Sequence, residues 1–490
     1  METNFSKIKA IGKQLSSGQT SCKKLTEQYL SAITKENPAI NAYVKVTQEQ
    51  ALATAEKVDE KIKKGQTLLP LEGIPMSLKD NISTKDIETT CCSKILQGYS
   101  PIYDATVWEL LQQQNAVLMG KTNMDEFAMG SFSETSCFGG SFNPHNLNHV
   151  AGGSSGGAAA SVSGNMAVFA LGSDTGGSIR QPASFCGVVG LKPTYGSVSR
   201  YGLIAYASGF DQIGPIASCV EDAAIVFDAI AQHDPMDSTS SGKREATVPS
   251  LTKEATGMKI GIVKEYFEGL SGQVKTAMDN AMQTYRDLGA ELVECSIPEI
   301  AYGLPVYYIL ACAEASSNLG RYDGIRYGFQ VPHYENLNEM ICKTRSQGFG
   351  KEVQHRILLG TYVLSAGYYD AYYKKAQNLR GVIVNAFDRV FERCDVLLAP
   401  TVPMTAFAKG ETAKDAVQTY RTDICTVPVN IAGLPAVSVP CGFDDKGLPI
   451  GLQLIGNRFC EAAILNAAYQ FEAVTRTNGA FQAAEMGVML

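Results

Sequence analysis

The sequence has 490 residues, of which 45% are hydrophobic and 19% charged, a composition typical of folded globular proteins and not of disordered ones. The formal net charge of -7 argues against a protein that binds nucleic acid through its own phosphate contacts, since such proteins carry basic patches. The charge does not exclude a protein that works beside a nucleic-acid-binding partner.

The cysteines and the apolar runs indicate the cellular compartment. None of the 13 cysteines belongs to a CxxC pair, which favours reduced thiols over a disulfide framework. The N-terminus lacks the apolar stretch of a secretory signal, and no apolar run reaches the roughly 18 residues that a membrane span needs. We therefore predict a cytoplasmic protein with no membrane contact.

The histidines do not predict a metal site. His145 and His149 are four residues apart, but the neighbouring Pro144, Asn146 and Asn148 make the stretch a loop and not a helix face. The remaining histidines are scattered along the chain, so we expect no bound metal.

Residues 1–66 are predicted to form an N-terminal helical segment. Apolar side chains recur at helical spacing over residues 8–15 and again over residues 25–33. A third helix is predicted to end before Gly65. Little in this segment indicates chemistry.

Residues 67–490 are predicted to form one α/β domain. Short apolar runs, such as those at 74–78, 168–171 and 396–399, alternate with Gly-rich turns and helical patterns. Alternation of this kind predicts a large mixed or largely parallel β-sheet covered by helices on both faces. The stretch at about 300–390 is mainly helical and aromatic, and we interpret it as an insertion on one side of the sheet.

Two Gly-rich stretches lie at 151–157 and 172–180, each feeding the start of a predicted helix. Glycine lets the backbone turn tightly and leaves N–H groups open, which suits either a phosphate cradle or an oxyanion hole beside a nucleophilic serine. The Walker pattern for phosphate is absent, because no lysine follows either stretch at the required spacing. A serine at such a position can also be a simple helix N-cap.

Lys79 adds a candidate base to these loops. It follows the apolar run at 74–78, and burial at the end of a strand favours the neutral amine, which can accept a proton. Two Ser-containing glycine loops and one such lysine, each at a separate strand end, are consistent with a Ser-Ser-Lys relay. Sequence spacing alone does not show that the three side chains meet.

The segments at 73–81, 152–157 and 174–182 match, in order and spacing, the pattern of the amidase signature family. The chain resembles that family from about residue 70 onward, and the resemblance implies the family's α/β fold and amide hydrolysis. Asp174 and Arg180 fall within the third segment, and we interpret them as an ion pair that holds the loop.

The resemblance implies a role for each matching residue. Ser178 is expected to be the nucleophile, and Ser154, after a cis peptide, to pass the proton between Ser178 and Lys79. Lys79 would act first as the base and then as the acid that protonates the leaving ammonia. Ser155 would support the lysine. The oxyanion hole would consist of the N–H groups of Thr175, Gly176, Gly177 and Ser178.

A second set of segments, at 121–130, 200–203, 210–215 and 356–362, is similar to the A-subunit family of glutamyl- or aspartyl-tRNA amidotransferases. An arginine suits the α-carboxylate of glutamine, since its planar fork can bind both oxygens, and an acid suits the α-ammonium. The residues that match these roles are Arg356 and Asp423, with Tyr307 in the same pocket. Without the resemblance, the two charges would be interpreted as ordinary surface residues.

The second resemblance implies hydrolysis of glutamine to glutamate and ammonia, with the ammonia passing through a tunnel to the B subunit of the complex. The B subunit would use ATP and Mg to activate the misacylated tRNA and would make the main tRNA contacts. The C subunit would tether the other two in a heterotrimer. This chain would then need no cofactor of its own. The sequence leaves open whether the tRNA carries glutamate, aspartate or either.

Two alternatives remain at this point. A free-standing amidase of the same family would act on a small amide without partners. A non-catalytic binding or scaffold subunit would keep the glycine loops without the activity. Arg356, Asp423 and the run at 124–130 favour the amidotransferase over the free-standing amidase.

Overall fold

The computed structural model describes residues 5–243, 245–251, 254–411 and 422–477. The last stretch of the predicted α/β domain, 478–490, lies outside the described residues. The boundaries predicted for the helical segment and the α/β domain therefore stay predictions, and the elements below are those of the described ranges.

Thirteen strands are present in these ranges. They are β1 (Tyr43–Val46), β2 (Pro75–Lys79), β3 (Val117–Thr122), β4 (Phe142–Asn143), β5 (Asn146–Val150), β6 (Phe169–Asp174), β7 (Val189–Lys192), β8 (Gln212–Ala217), β9 (Lys259–Val263), β10 (Glu291–Cys295), β11 (Val396–Pro400), β12 (Ala436–Phe443) and β13 (Pro449–Gly456). Eleven of them form one sheet in the order β1-β3-β2-β6-β8-β7-β12-β13-β11-β9-β10, and β4 pairs with β5 separately.

The large sheet is mixed, as the sequence predicted. The pairs β2–β3, β2–β6, β9–β11 and β9–β10 are parallel. The other six neighbouring pairs are antiparallel, so the alternative of a largely parallel sheet is wrong. Periodicity could not separate the two arrangements, because a strand buried on both faces is a continuous apolar run in either.

Fourteen α-helices are present in the same ranges. They are α1 (Lys7–Ser16), α2 (Cys22–Ile40), α3 (Gln48–Lys63), α4 (Thr106–Gln113), α5 (Gly156–Ser163), α6 (Arg180–Cys186), α7 (Val220–Ile230), α8 (Gly272–Asp287), α9 (Gly303–Asn318), α10 (Leu337–Gly348), α11 (Lys351–Leu364), α12 (Lys375–Phe391), α13 (Val427–Ile431) and α14 (Glu461–Thr477). A π-helical turn at Tyr369–Lys374 precedes α12.

The core side chains of β11 show that helices cover both faces of the sheet. Successive residues of a strand point to opposite faces. Val396 and Leu398 pack in one hydrophobic cluster with side chains of α7, α8 and α14. Leu397 and Ala399 pack in a second cluster with side chains of α9, α11 and α12. The prediction of a sheet covered on both faces is confirmed, and these three helices from the 300–390 region lie on one of them.

The N-terminal segment contains the three predicted helices and also a strand. Ser6 and Ser21 cap α1 and α2, each accepting a hydrogen bond from a backbone N–H in the first turn. Between α2 and α3, β1 pairs antiparallel with β3 at the edge of the large sheet. The segment is therefore not wholly helical. The sequence did not reveal this strand, because four residues between two helical patterns are too few to show a period of two.

The sheet topology brings the predicted catalytic segments together. β2 and β6 are adjacent and parallel, so their carboxyl ends lie at the same edge of the sheet. Lys79 ends β2, and Asp174 ends β6 immediately before the second glycine stretch. The first glycine stretch runs into α5, which packs on β2 and β6.

Two further sequence expectations concern the thiols and the membrane. All thirteen cysteines are free in the structure, as predicted. Across the described ranges, no helix combines the length and the apolar character needed to cross a bilayer.

Candidate active site

Lys79 is fully buried at the end of β2. Its Nζ donates hydrogen bonds to Ser154 Oγ at 2.8 Å, to Ser155 Oγ at 2.8 Å and to the carbonyl of Ser173 at 3.3 Å. Burial lowers the pKa of Lys79 to about 7, although nearby carboxylates raise it. Near neutral pH a substantial fraction of the amine is therefore uncharged and can accept a proton.

The two glycine stretches are tied together through their backbones. A cis peptide joins Gly153 to Ser154. The N–H of Gly153 donates to Gln181 Oε1 at 2.8 Å, and the N–H of Ser155 donates to the carbonyl of Ser178 at 3.1 Å. These bonds place the serines of the first stretch beside the serine of the second.

Ser178 lies between β6 and α6 and reaches solvent only through a cleft, since it is 8% exposed. Its hydroxyl donates and accepts no hydrogen bond within the described ranges. The contact expected between the hydroxyls of Ser154 and Ser178 is therefore not formed in this structure. The Lys79–Ser154 half of the expected relay is present, and the Ser154–Ser178 half stays a prediction.

Asp174 and Arg180 form a fully buried ion pair beneath the loop that carries Ser178. Arg180 Nε donates to Asp174 Oδ2 at 3.0 Å and Nη2 donates to Asp174 Oδ1 at 3.1 Å. Further acceptors of the guanidinium are Gln453 Oε1, Asn430 Oδ1 and the carbonyl of Thr426. Burial disfavours the charge of Asp174, but Arg180 outweighs it and holds the pKa of Asp174 below its usual range. The predicted ion pair is present.

The same carboxylate changes the expected oxyanion hole. The N–H of Gly177 donates to Asp174 Oδ1 at 2.7 Å, so it is not free to bind an oxyanion in this arrangement. The N–H groups of Thr175, Gly176 and Ser178 donate no hydrogen bond within the described ranges. Gly177 is therefore corrected from an oxyanion donor to a residue that holds the loop, and three amides remain as candidates.

One cleft holds Ser178 together with Tyr307, Arg356 and Asp423. Arg356 and Asp423 are each only 8% exposed, so their alternative interpretation as ordinary surface charges is wrong. They lie 178 and 245 positions after Ser178 in the sequence, and the fold brings all three to one cavity.

Arg356, on α11, is held by two side chains. Its Nη1 donates to Tyr206 Oη at 2.6 Å and its Nε donates to Glu352 Oε1 at 2.8 Å. The guanidinium carbon lies 5.4 Å from the ring centroids of Tyr206 and Tyr308. Within the described ranges Nη2 donates to no protein group, so part of the fork is available to a carboxylate.

Asp423 lies before α13, and both oxygens of its carboxylate accept from Ser131 Oγ, at 3.1 and 3.3 Å. Burial raises the pKa of Asp423 to about 7, although Ser131 and Arg356 lower it. A cationic group bound beside this carboxylate would favour its ionised form.

Tyr307, on α9, packs against the loop that carries Ser178. A Cβ at Gly176 would lie 2.8 Å from Tyr307 Oη and Cζ, so the close approach of the ring requires glycine there. Tyr307 is 5% exposed and forms one wall of the cleft.

Several residues that hold the cleft side chains and backbone in place were not predicted from the sequence. Ser131 holds Asp423, Tyr206 holds Arg356, and Gln181 holds Gly153. Ser131 directly follows the 121–130 segment, so the resemblance of that segment could have pointed to Ser131 as part of the site. Tyr206 carries no local pattern that would reveal its contact with a helix 150 positions away.

The arrangement suits acyl transfer at Ser178. The buried amine of Lys79 contacts Ser154, open amides lie in the loop that carries Ser178, and a cation and an acid line the same cleft. In the described part of the chain, His, Cys, Asp and Glu form no group of three or more that could hold a metal ion.

Comparison with known proteins gives a family match over most of the chain. The model of the Amidase family matches residues 24–465. The A subunit of glutamyl-tRNA(Gln) amidotransferase from Cyanothece sp. is 54% identical over 473 residues, which covers 96% of this chain and 98% of that one. The protein with the same name in Caldanaerobacter subterraneus is 55% identical and covers 93% of each chain.

Solved structures agree with the fold. The crystal structure of the glutamyl-tRNA(Gln) amidotransferase A subunit from Thermotoga maritima has a TM-score of 0.79 at 40% identity and covers 95% of both chains. The native peptide amidase from Stenotrophomonas maltophilia has a TM-score of 0.80 at 30% identity and covers 97% of both. The same fold therefore occurs in proteins named for different amide substrates.

Proposed function

The chain belongs to the Amidase family, and we propose that it hydrolyses glutamine as the A subunit of a tRNA-dependent amidotransferase. The observation that carries the proposal is the cleft that holds Ser178, Arg356 and Asp423 together. Such a cleft offers a nucleophile for the carboxamide and opposite charges for the two ends of an α-amino acid. More than 50% identity to proteins named as the A subunit of glutamyl-tRNA(Gln) amidotransferase supports the amidotransferase role.

The proposed first step is attack of Ser178 Oγ on the carboxamide carbon of glutamine. The neutral amine of Lys79 takes the proton of Ser154, which takes the proton of Ser178 as the C–O bond forms. The amides of Thr175, Gly176 and Ser178 would stabilise the negative oxygen of the tetrahedral intermediate. The protonated Lys79 then returns its proton, through Ser154, to the nitrogen that leaves as ammonia.

The proposed second step is hydrolysis of the glutamyl ester on Ser178. Water enters the cleft, loses its proton to the Ser154–Lys79 pair and attacks the ester carbonyl in the same oxyanion hole. Glutamate leaves and Ser178 regains its proton. Ser155, which also accepts from Lys79 Nζ, would keep the amine oriented through both steps.

Arg356 and Asp423 would orient the substrate. The free part of the Arg356 fork would bind the α-carboxylate, and the Asp423 carboxylate would bind the α-ammonium. Tyr307 would close the cleft over the side chain of glutamine, which is the part that reaches Ser178. A primary amide without these two charges lacks both contacts, which would make glutamine the preferred substrate.

The proposed partners follow from the same assignment. Ammonia would pass through a channel to the B subunit, which would use ATP and Mg and make the main contacts with tRNA. The C subunit would complete a cytoplasmic heterotrimer. The product would be Gln-tRNA(Gln), formed from Glu-tRNA(Gln), with Asn-tRNA(Asn), formed from Asp-tRNA(Asn), as an additional or alternative product. No cofactor is proposed for this chain.

A free-standing amidase is the second candidate, because the peptide amidase with the same fold is 30% identical to this chain. The test compares glutaminase and amide hydrolysis by this chain alone and with the B and C subunits. The proposal expects glutamine-dependent amidation of Glu-tRNA(Gln) in the assembled complex. High activity on simple aliphatic or aryl amides, with none on glutamine in the complex, would favour the free-standing amidase.

A further inference from the structure

Asp125, within the 121–130 segment, has a fully buried carboxylate. One oxygen accepts from the N–H groups of Phe132 at 3.2 Å and Ser133 at 2.8 Å. The other accepts from Thr135, through its N–H at 3.3 Å and its Oγ1 at 2.9 Å. Burial raises the pKa of Asp125, but these four donors oppose that effect by favouring the charged carboxylate, and they fold residues 131–135 around it.

This carboxylate lies directly against the cis peptide of the candidate site. The N–H of Asp125 donates to the carbonyl of Ser154 at 3.2 Å. A Cβ at Gly153 would collide with the carboxylate of Asp125 and with the N–H groups that it binds. Asp125 therefore limits where the Gly153–Ser154 peptide can lie, and with it the hydroxyl that contacts Lys79.

The next residue, Glu126, binds the start of α11, the helix that carries Arg356. The N–H of Gly350 donates to both carboxylate oxygens of Glu126, at 2.8 and 3.1 Å. Ser93 Oγ also donates to this carboxylate. Gly350 is the N-cap of α11, the helix that carries Arg356. A Cβ at Gly350 would meet Glu126 Oε2, so the helix start is packed tightly on this side chain.

We propose that Asp125 and Glu126 are positioning residues that fix the two functional halves of the cleft relative to each other. Asp125 sets the position of Ser154 against Lys79, and Glu126 sets the position of α11 and thus of Arg356. The inference rests on the proposed function, since it assigns proton transfer to the first half and binding of the substrate carboxylate to the second. Neither residue is among those that line the cleft.

The charge of Asp125 should also affect the pH dependence of the reaction through its effect on Lys79. Burial lowers the pKa of Lys79, and the nearby carboxylates of Asp125, Asp174 and Asp211 raise it, whereas burial keeps the neighbouring Cys91 thiol neutral. Removing the charge of Asp125 therefore lowers the pKa of Lys79 further. Because the neutral amine is the active form, the acidic limb of the pH profile should move to lower pH.

The first experiment measures glutaminase kinetics of Asp125→Asn in the assembled complex across pH. We expect kcat to fall by roughly one to two orders of magnitude, since the amide NH₂ of Asn would face N–H donors. We also expect the acidic limb of kcat to shift to lower pH. A shift to higher pH, or an unchanged limb, would overturn the role of Asp125.

The second experiment measures Glu126→Gln in the same complex. We expect KM for glutamine to rise by about tenfold with a smaller change in kcat, because α11 and Arg356 shift while the triad does not. An amide that lacks an α-carboxylate should show no such rise. An equal loss of kcat in both variants with KM unchanged would mean a merely structural role and would overturn the proposal.

Thr135 supplies a milder test should Asp125→Asn fail to fold. Thr135→Val removes the hydroxyl that donates to Asp125, whereas Thr135→Ser keeps it. We expect the valine variant to lose kcat and the serine variant to retain it, and equal activities would overturn the proposal. Asp222→Asn serves as a matched control, since Asp222 is a buried carboxylate that binds the start of α1 instead of the cleft.

The experiments can disprove the proposed function and the positioning role independently of each other. If the wild-type complex hydrolyses another amide and not glutamine, the proposed function is wrong. The pH shift of Asp125→Asn can then still be measured on that amide. If glutamine is hydrolysed and neither variant shows its signature, only the positioning role is wrong.

Discussion

Lys79 Nζ lies 2.8 Å from Ser154 Oγ and, within the described residues, forms no ion pair. Its other acceptors are the Ser155 hydroxyl and the Ser173 carbonyl, so no carboxylate bonds directly to the buried ammonium. Burial therefore dominates its protonation, and the pKa of Lys79 falls to about 7. In the proposed mechanism, the absence of a direct acidic partner is what would allow this lysine to act as a base.

Replacement of Lys79 should separate the two amidation activities. Lys79→Met should abolish glutamine-dependent amidation in the complex, because no group remains to take the proton of Ser154. Amidation driven by added ammonia should persist, because it bypasses Ser178. Both rates are measured on Glu-tRNA(Gln) with ATP.

Lys192 offers a matched control for this variant. It is also fully buried at the end of a strand, and burial lowers the pKa of Lys192 to about 7. Its Nζ donates to the carbonyl of Pro193 and to neither serine. Lys192→Met should keep glutamine-dependent amidation. Loss of the ammonia-driven rate in Lys79→Met would mean that Lys79 is structural.

The pH dependence should reflect two groups in the free enzyme and one in the substrate complex. Above pH 7 Lys79 is neutral and Asp423 is ionised, and below pH 7 both lose the required form, since each pKa is about 7. Log kcat/KM should therefore fall with a slope approaching two on the acidic side. Bound glutamine brings an ammonium to Asp423 and keeps it ionised, so log kcat should fall with a slope of one.

The same profile in Asp423→Asn isolates the second group. With no carboxylate to titrate, log kcat/KM should fall with a slope of one. Equal slopes of one for kcat and kcat/KM in the wild-type enzyme would show that Asp423 does not titrate in this range.

Replacement of Arg356 by lysine should affect binding more than chemistry. A lysine keeps the positive charge and loses the fork that binds both oxygens of a carboxylate. Arg356→Lys should therefore raise KM for glutamine by about tenfold or more, with a smaller change in kcat. Steady-state kinetics with an amide that lacks the α-carboxylate supplies the control, and an equal rise in its KM would contradict the assignment.

The Asp174–Arg180 pair should matter for stability as well as activity. Arg180→Ala leaves Asp174 buried without its partner, which costs about 3–5 kcal/mol in the free energy of unfolding. Urea unfolding measures this loss. Glu339→Gln breaks an exposed ion pair with Lys343 and should leave the unfolding midpoint unchanged. An Arg180→Ala protein as stable as the wild type would contradict the role given to this pair.

The proposed base, Lys79, could be distinguished from the other buried lysines only because the family pattern was available. Lys79, Lys121 and Lys192 are all fully buried near strand ends, and burial lowers the pKa of each. The argument from desolvation applies equally to the three. What separates Lys79 is its contact with Ser154, a long-range relation that spacing along the chain does not encode.

What the sequence could not predict differs between the fold and the cleft. The apolar runs at 74–78, 168–171 and 396–399 became β2, β6 and β11, and the two-sided cover of the sheet was also predicted, but β1 was too short to show its period. In the cleft, the engagement of the Gly177 N–H by Asp174 could not be predicted, because any of four consecutive amides can point at an oxyanion. Which of these N–H groups the Asp174 carboxylate binds depends on the three-dimensional course of the loop that follows it.

The most direct test of the account is covalent labelling of the nucleophile. The complex is treated with a glutamine-derived electrophile, digested and analysed by mass spectrometry. The account predicts one label, on Ser178, that glutamine suppresses and that is lost in Ser178→Ala. A label on one of the thirteen cysteines, or no label on Ser178 in an active complex, would contradict it.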